Sequence, residues 1–146
     1  GTGQNWIDEG KVPSGNGQQV TLGTVQAQNL TLVQGPDGSR SATLLGNLIN
    51  SGDADDALVG AAIAADKPVT AAITGGSIAV LHDVNDPVSL GYRSGSFVNF
   101  FGVDLKTSHY VPLQLSFKDA GQATVQVLVV PAEGYYAGIT PSPAAS

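Results

Sequence analysis

The sequence contains neither cysteine nor methionine. Without thiols there is no disulfide, no thiolate metal site and no cysteine nucleophile. Without methionine the thioether is missing as well, so both soft sulfur ligands are absent. Charge is also scarce: charged residues make up 12% of the chain, about half the usual share of a soluble protein. Lys and Arg together number six, scattered from Lys11 to Lys118, and the formal net charge is −6. Phosphate backbones are held by clustered cations, which argues against nucleic acid as a partner. The same scarcity argues against an anionic membrane surface. No apolar run approaches the roughly 20 residues that span a bilayer.

The apolar residues that are present, 42% of the 146-residue chain, are β-branched and regularly spaced, unlike those of a disordered chain. That length suffices for one continuous core. The sequence opens on Gly1 instead of Met, from which a removed signal peptide and an extracytoplasmic location are expected.

Residues 1–18 are polar and Gly-rich and read as a flexible lead-in, with Trp6 and Ile7 as the apolar exceptions. From residue 19 to 131, short apolar runs alternate with turn signals every eight to twelve residues or so, the pattern of a sandwich. Strands are predicted near 20–27, 30–34, 41–50, 57–64, 69–73, 77–82, 88–90, 96–103, 110–117 and 123–130. Residues 132–146 read as a C-terminal tail. The segment 56–66 is Ala-rich, with Val59 and Ile63 at helical spacing, but lacks a second apolar turn and is assigned to strand.

In Tyr110-Val-Pro-Leu-Gln-Leu-Ser-Phe117, Val111, Leu113, Leu115 and Phe117 share one face. Pro112 cannot donate to a ladder, so this strand is expected at an edge, or else to begin pairing after Pro112. Gly35-Pro-Asp-Gly38 and Lys118-Asp-Ala-Gly121 carry hairpin-turn chemistry. The fold expected is an all-β Greek-key sandwich.

The succession Asn50-Ser-Gly52, Ala57-Leu-Val-Gly60, residues 95–103, the Tyr110–Phe117 strand, Lys118-Asp-Ala-Gly121 and residues 123–130 resembles the copper chaperone PCu(A)C family. It is most similar to the actinobacterial, LpqE-like lipoprotein branch, over roughly residues 19–130. The resemblance implies a cupredoxin-like or immunoglobulin-like sandwich, export, and a lipid on an N-terminal Cys that precedes this sequence. It also implies Cu(I) bound through a motif of the form H-x10-M-x21-H-x-M. With Gly102 taken as the Gly after the H-x-M strand, Phe97 and Asn99 stand where the second His and Met belong. The same spacing puts Ala64 and Gly75 at the first pair. None of the four is a soft ligand.

Beyond the resemblance, two histidines are candidate metal ligands. His82 lies beside Asp83, with Asp86 and Asp104 not far along the chain, and His109 follows. If the two rings converged, they and a carboxylate would suit Cu(II) or Zn(II); otherwise both are solvated strand-end residues. Asp53, Asp55 and Asp56 lack the further oxygen ligands and closing Glu of an EF-hand loop, and read as a solvated turn guarding a sheet edge. Ser94-Gly-Ser96 is not a nucleophile elbow, and no residues specify a triad. Glu9 and Glu133 lie outside the strand region, and Thr74-Gly75-Gly76 is no phosphate loop. The chain is therefore expected to be no enzyme. Tyr92, Phe97, Phe100, Phe101 and Tyr110 fall in one stretch. One face of this aromatic set belongs in the core; the other, with Tyr92, Phe97 and Phe101, would form a patch for a partner if exposed.

Three functions stay open. The first is an envelope lipoprotein that serves as a binding or scaffolding domain, without a cofactor, for a protein or cell-wall partner. The others are a copper metallochaperone with a rebuilt His-based site, and a structural, adhesive surface sandwich.

Overall fold

The structure, a computed structural model, describes residues 18–35, 40–64, 67–82, 87–91 and 95–132. The lead-in with Trp6 and Ile7, residues 36–38 of the first hairpin turn, Asp83, Asp86, Tyr92, Ser94 and the tail from Glu133 lie outside these.

The period-2 apolar pattern produces strands, eleven of them among the described residues. They are β1 (Gln18–Leu22), β2 (Val25–Gln34), β3 (Ser41–Asn50), β4 (Asp56–Ile63), β5 (Val69–Thr70), β6 (Ala72–Ile73), β7 (Ile78–Val80), β8 (Val88–Leu90), β9 (Val98–Phe101), β10 (Tyr110–Phe117) and β11 (Gly121–Pro131). Their hydrogen-bonded order is β5-β4-β10-β11-β2-β3-β9-β6, with β1 on β2, β7 on β4 and β8 on β3. All neighbours are antiparallel except β11 and β2, which run parallel from Leu128↔Thr31 to Pro131↔Gln34. The Ala-rich segment is strand, not helix, because Leu58, Ala61 and Ile63 all find a facing core.

The two ends of the ladder, β5 and β6, are separated in sequence by a single residue, Ala71. Val69 and Thr70 pair with β4, and Ala72 and Ile73 pair with β9. The Ala71 amide donates to the Ala61 carbonyl at 2.8 Å. One bent segment thus switches between the β4–β10–β11 side and the β2–β3–β9 side of the sandwich, as corner strands do. The sequence pattern suggested a single strand over 69–73; the bend at Ala71 divides it.

Two further departures from the sequence pattern have local causes. The break expected after Ala27 is a bulge: Asn29 takes a left-handed φ of 56° and β2 continues through it. The hairpin turn comes earlier, at Gly23-Thr24. Opposite the bulge, a Cβ on Gly46 would stand 2.8 Å from Leu30 Cδ2 and 3.0 Å from the Gln28 carbonyl, so the close approach needs glycine. In β10, Pro112 does not mark an edge, since the strand lies between β4 and β11. Its ladder with β4 begins at Leu113, and the Pro112 carbonyl accepts from Ala64 N at 2.9 Å. The missing N–H falls where that ladder has not yet started.

The core runs continuously through Leu30, Leu32, Leu44, Leu48, Leu58, Ile63, Phe100, Leu113, Leu115 and Val127. Full burial of each Leu or Phe side chain contributes about 1.5–3 kcal/mol. The parity expected in β10 holds, with Leu113, Leu115 and Phe117 inside and Gln114 and Ser116 outside.

Candidate functional site

Phe97, Asn99, Gly75 and Ala64 fall around the bend that closes the ladder. After β6 the chain makes a 3-10 turn, Thr74–Gly76. The Thr74 amide donates to the Phe97 carbonyl at 3.0 Å, and Phe97 N donates to Thr74 Oγ1 at 2.8 Å. This reciprocal pair sets Gly75 next to Phe97. Gly75 has φ 68°, and a Cβ there would meet nothing within 4 Å, so the turn is open to solvent. In β9 the side chains of Val98 and Phe100 enter the core, which directs Asn99 to the outer face. There Asn99 lies opposite Thr43, whose Oγ1 donates to Asn99 Oδ1 at 3.0 Å in a buried bond. Ala64, exposed at the end of β4, is held through its amide to Pro112.

The aromatic stretch divides as its parity requires. Phe100 is fully buried, Phe97 is half-buried and Phe101 is 39% exposed. Tyr110 is more exposed still, at the start of β10. Of the expected patch, Phe97 and Phe101 are on the outer side of β9, and Tyr92 lies outside the described residues.

The two histidines do not converge. His82 follows β7, whose Val80 pairs with Asp56 at the first residue of β4. His109 precedes β10, and its carbonyl accepts from Val129 N at 2.9 Å. β10 pairs with β4 so that Phe117 meets Leu58 and Leu113 meets Ile63. The rings therefore occupy opposite ends of a strand of eight residues, roughly 25 Å apart at about 3.3 Å per residue. Among the described residues no group of three or more His, Cys, Asp or Glu is placed to hold a metal ion. Asp104 is exposed and lies away from His82, in the segment that leads to His109.

His82 instead has a local partner. Its amide donates to Asp55 Oδ1 at 3.0 Å, and its Nδ1 lies 2.5 Å from the same oxygen. The His82 amide bond first, and the ring contact after it, hold the Asp55 carboxyl below its ordinary pKa. The pair joins the β3–β4 loop to the segment after β7.

Two side chains flanking that loop, at the end of β3 and the start of β4, do structural work that residue pattern alone did not single out. Asp56 is 8% exposed. Its Oδ1 accepts from Ala57 N and Asp119 N, and its Oδ2 from Ala120 N, at 2.8–2.9 Å. It thus fastens the Lys118–Ala120 turn to β4. Burial pushes its pKa up, but the three backbone donors and the Lys118 charge outweigh this and leave it lowered. Asn50 donates from Nδ2 to the carbonyls of Ala54 and Val80 and accepts at Oδ1 from Gly52 N. The Asn-Ser-Gly spelling was the available signal, since Asn readily closes a turn two residues on. Asp56 carried no such signal, because two of its three donors are 63 and 64 residues away.

No protein-family model and no curated protein matches this chain. Solved structures do match. The apo PCuAC domain from PmoF1 superposes with a TM-score of 0.67 at 18% identity, covering 78% of this chain and 99% of that domain. The copper-bound PCuAC domain from PmoF2 gives 0.64 at 22% identity, over 78% and 98%. Its apo form gives 0.65 at 19%, over 80% and 98%. Identity at this level speaks for architecture and not for the site: the chain has the β-sandwich fold of PCuAC domains.

Proposed function

We propose that this chain is a non-enzymatic, extracytoplasmic domain of PCuAC-like fold that binds or scaffolds a partner and has given up the ordinary Cu(I) site. One observation carries this reading. The corner at which the family resemblance puts the His and Met ligands is built and hydrogen-bonded, yet it holds Gly75, Phe97, Asn99 and Ala64. Cu(I) is selected by thioether and thiolate donors, and no Met or Cys occurs anywhere in the chain. The one side-chain donor among the four positions, the Asn99 amide oxygen, already accepts from Thr43. The donor set does not fit the metal.

An aromatic surface takes the place of ligands. Phe97 and Phe101 stand on the outer side of β9, and exposed apolar groups of this kind mark binding surfaces when they adjoin. The partner class is a protein or cell-wall component. Cell-envelope placement through an N-terminal lipid belongs to the same proposal. It is supported by the resemblance to the LpqE-like branch, and no helix among the described residues is long and apolar enough to cross a membrane.

Titration of the purified protein with Cu(I), Cu(II) and Zn(II), by calorimetry against a competing chelator, tests the loss of the site. No stoichiometric Cu(I) binding is expected. Sub-micromolar binding abolished by His82→Ala or His109→Ala would overturn the proposal and establish a rebuilt metallochaperone site instead.

A further inference from the structure

On one side of the sandwich β5, β4, β10 and β11 turn outward a face that carries no charge. Register builds it in rows. Thr70, Ala62, Gln114 and Thr124 align across β5, β4, β10 and β11. Gly60, Ser116 and Gln122 form the next row, with Val59 beside them where β4 bulges. Val59 is 45% exposed, and Tyr110, on the same side of β10 as Gln114, is 48% exposed. The solvent side of a sheet ordinarily carries charged residues. Here β5, β10 and β11 contain none, and the one in β4, Asp56, is buried in its clamp. Along β4 the face is low. A Cβ added to Gly60 would meet nothing nearer than Ser116 Cβ at 3.7 Å, and Ala62 contributes a single methyl. The glutamines form a ridge beside this floor, Gln114 Nε2 donating to Gln122 Oε1 at 3.1 Å.

We propose that this face binds a neutral polysaccharide. The proposal rests on the reading of the chain as a binding domain, and gives that reading a second surface and a partner class. A charged polymer would find no counter-charge on the face. A purely apolar surface would strip water from Gln114, Gln122 and Gln126 without replacing their hydrogen bonds. A sugar chain meets both conditions, because a pyranose ring carries hydroxyls at its rim and C–H groups on its flat sides. The Gln114–Gln122 bond leaves the Gln114 carbonyl oxygen to accept and the Gln122 NH2 to donate, which suits two adjacent hydroxyls. The exposed Tyr110 ring offers a surface on which a pyranose stacks, with its hydroxyl at the wet edge. Tyr110 and Gln114 stand roughly 13 Å apart at about 3.3 Å per residue, so the face takes more than one sugar unit. The floor of Gly60 and Ala62 gives a linear chain room to lie along the ridge.

The test is affinity electrophoresis of the full chain in gels containing dextran, mannan or galactan, with alginate as the anionic comparator. Retardation is expected in at least one neutral gel and not in alginate. Tyr110→Ala and Gln114→Ala should each weaken it about tenfold, for the loss of a stacked ring or of a hydrogen-bonding amide. Gln19→Ala, exposed on β1, should leave it unchanged. In nitrogen-edited NMR spectra the retarding polysaccharide should shift the side-chain amide signals of Gln114 and Gln122. No retardation in any neutral gel overturns the proposal, as does equal retardation in alginate. Retardation abolished by Phe101→Ser but untouched by the Tyr110 and Gln114 variants overturns it too, and moves the sugar site to β9. The metal titration decides the loss of the Cu(I) site separately, so the two readings can fail apart.

Discussion

Asp56 fastens the Lys118–Ala120 turn to β4 at one end of the sandwich. Its carboxylate satisfies three backbone donors from two elements, and an amide in its place could satisfy only one side of that set. Asp56→Asn would turn an NH2 group toward a backbone N–H, and should cost about 1–3 kcal/mol in urea denaturation. The pH dependence follows from the sign of the shift. The folded carboxyl titrates below its ordinary value, so near pH 4 the unfolded chain takes up the proton first. Asp56 therefore contributes stability above that range and loses it as pH falls toward the lowered folded pKa. Asp55, held down by the His82 amide, acts in the same direction from the surface. In the Asp56→Asn protein the fall in stability below pH 4 should be shallower than in the parent. A parallel acid limb in both proteins would rule out Asp56 as its source. Candidate residues were legible in sequence only as far as their partners were local. The Asn50-Ser-Gly52 spelling at least offered a local turn signal, whereas the aspartates that looked like a solvated loop conceal a buried clamp, two of whose donors are far along the chain.

At the scale of elements, period-2 alternation located most strands to within a residue or two, and β3, β8 and β10 to the residue. What alternation could not show was where a strand changes partner. β2 gives one edge to β1 over its first half and to β11 over its second, with Asn29 as the bulge between. The β5–β6 segment pairs on two different sides of the molecule through Ala71. Such switches depend on distant neighbours, which leave no mark on local spacing. The bend makes a prediction of its own. Ala71→Pro removes the N–H that bonds the Ala61 carbonyl, for a cost of about 1–3 kcal/mol. Hydrogen exchange should then accelerate in β4 and β9, the strands that β5 and β6 join, before it does in the β10–β11 hairpin. Uniform acceleration across all strands would mean that the segment closes nothing.

For the molecule as a whole, one core draws on β2, β3, β4, β7, β8, β9, β10 and β11 together. No strand group holds a core of its own size, so unfolding should be a single cooperative transition. Scanning calorimetry should give equal calorimetric and van't Hoff enthalpies; a calorimetric excess would reveal separately melting halves. The architecture expected from sequence agrees with the fold shared with PCuAC domains. His82 and His109, candidate ligands only if their rings converged, sit at opposite ends of the strand direction. Spacing along a chain of strands carries no information about which end of the sandwich a loop occupies.

Strand direction also decides how the domain is presented. β1 runs antiparallel to β2 and β11 runs parallel to it. The chain therefore enters at Gln18 and leaves at Pro131 in opposite directions but toward the same end of the sandwich, the end that carries Ser41, Phe101 and His109. Asp55, Asp56, His82 and the Lys118–Ala120 turn lie at the far end, roughly 25 Å off at about 3.3 Å per residue along β10. Gln18 and Pro131 thus share one end of the sandwich, and the end of Asp55, His82 and the Lys118–Ala120 turn is the part of the described fold farthest from both.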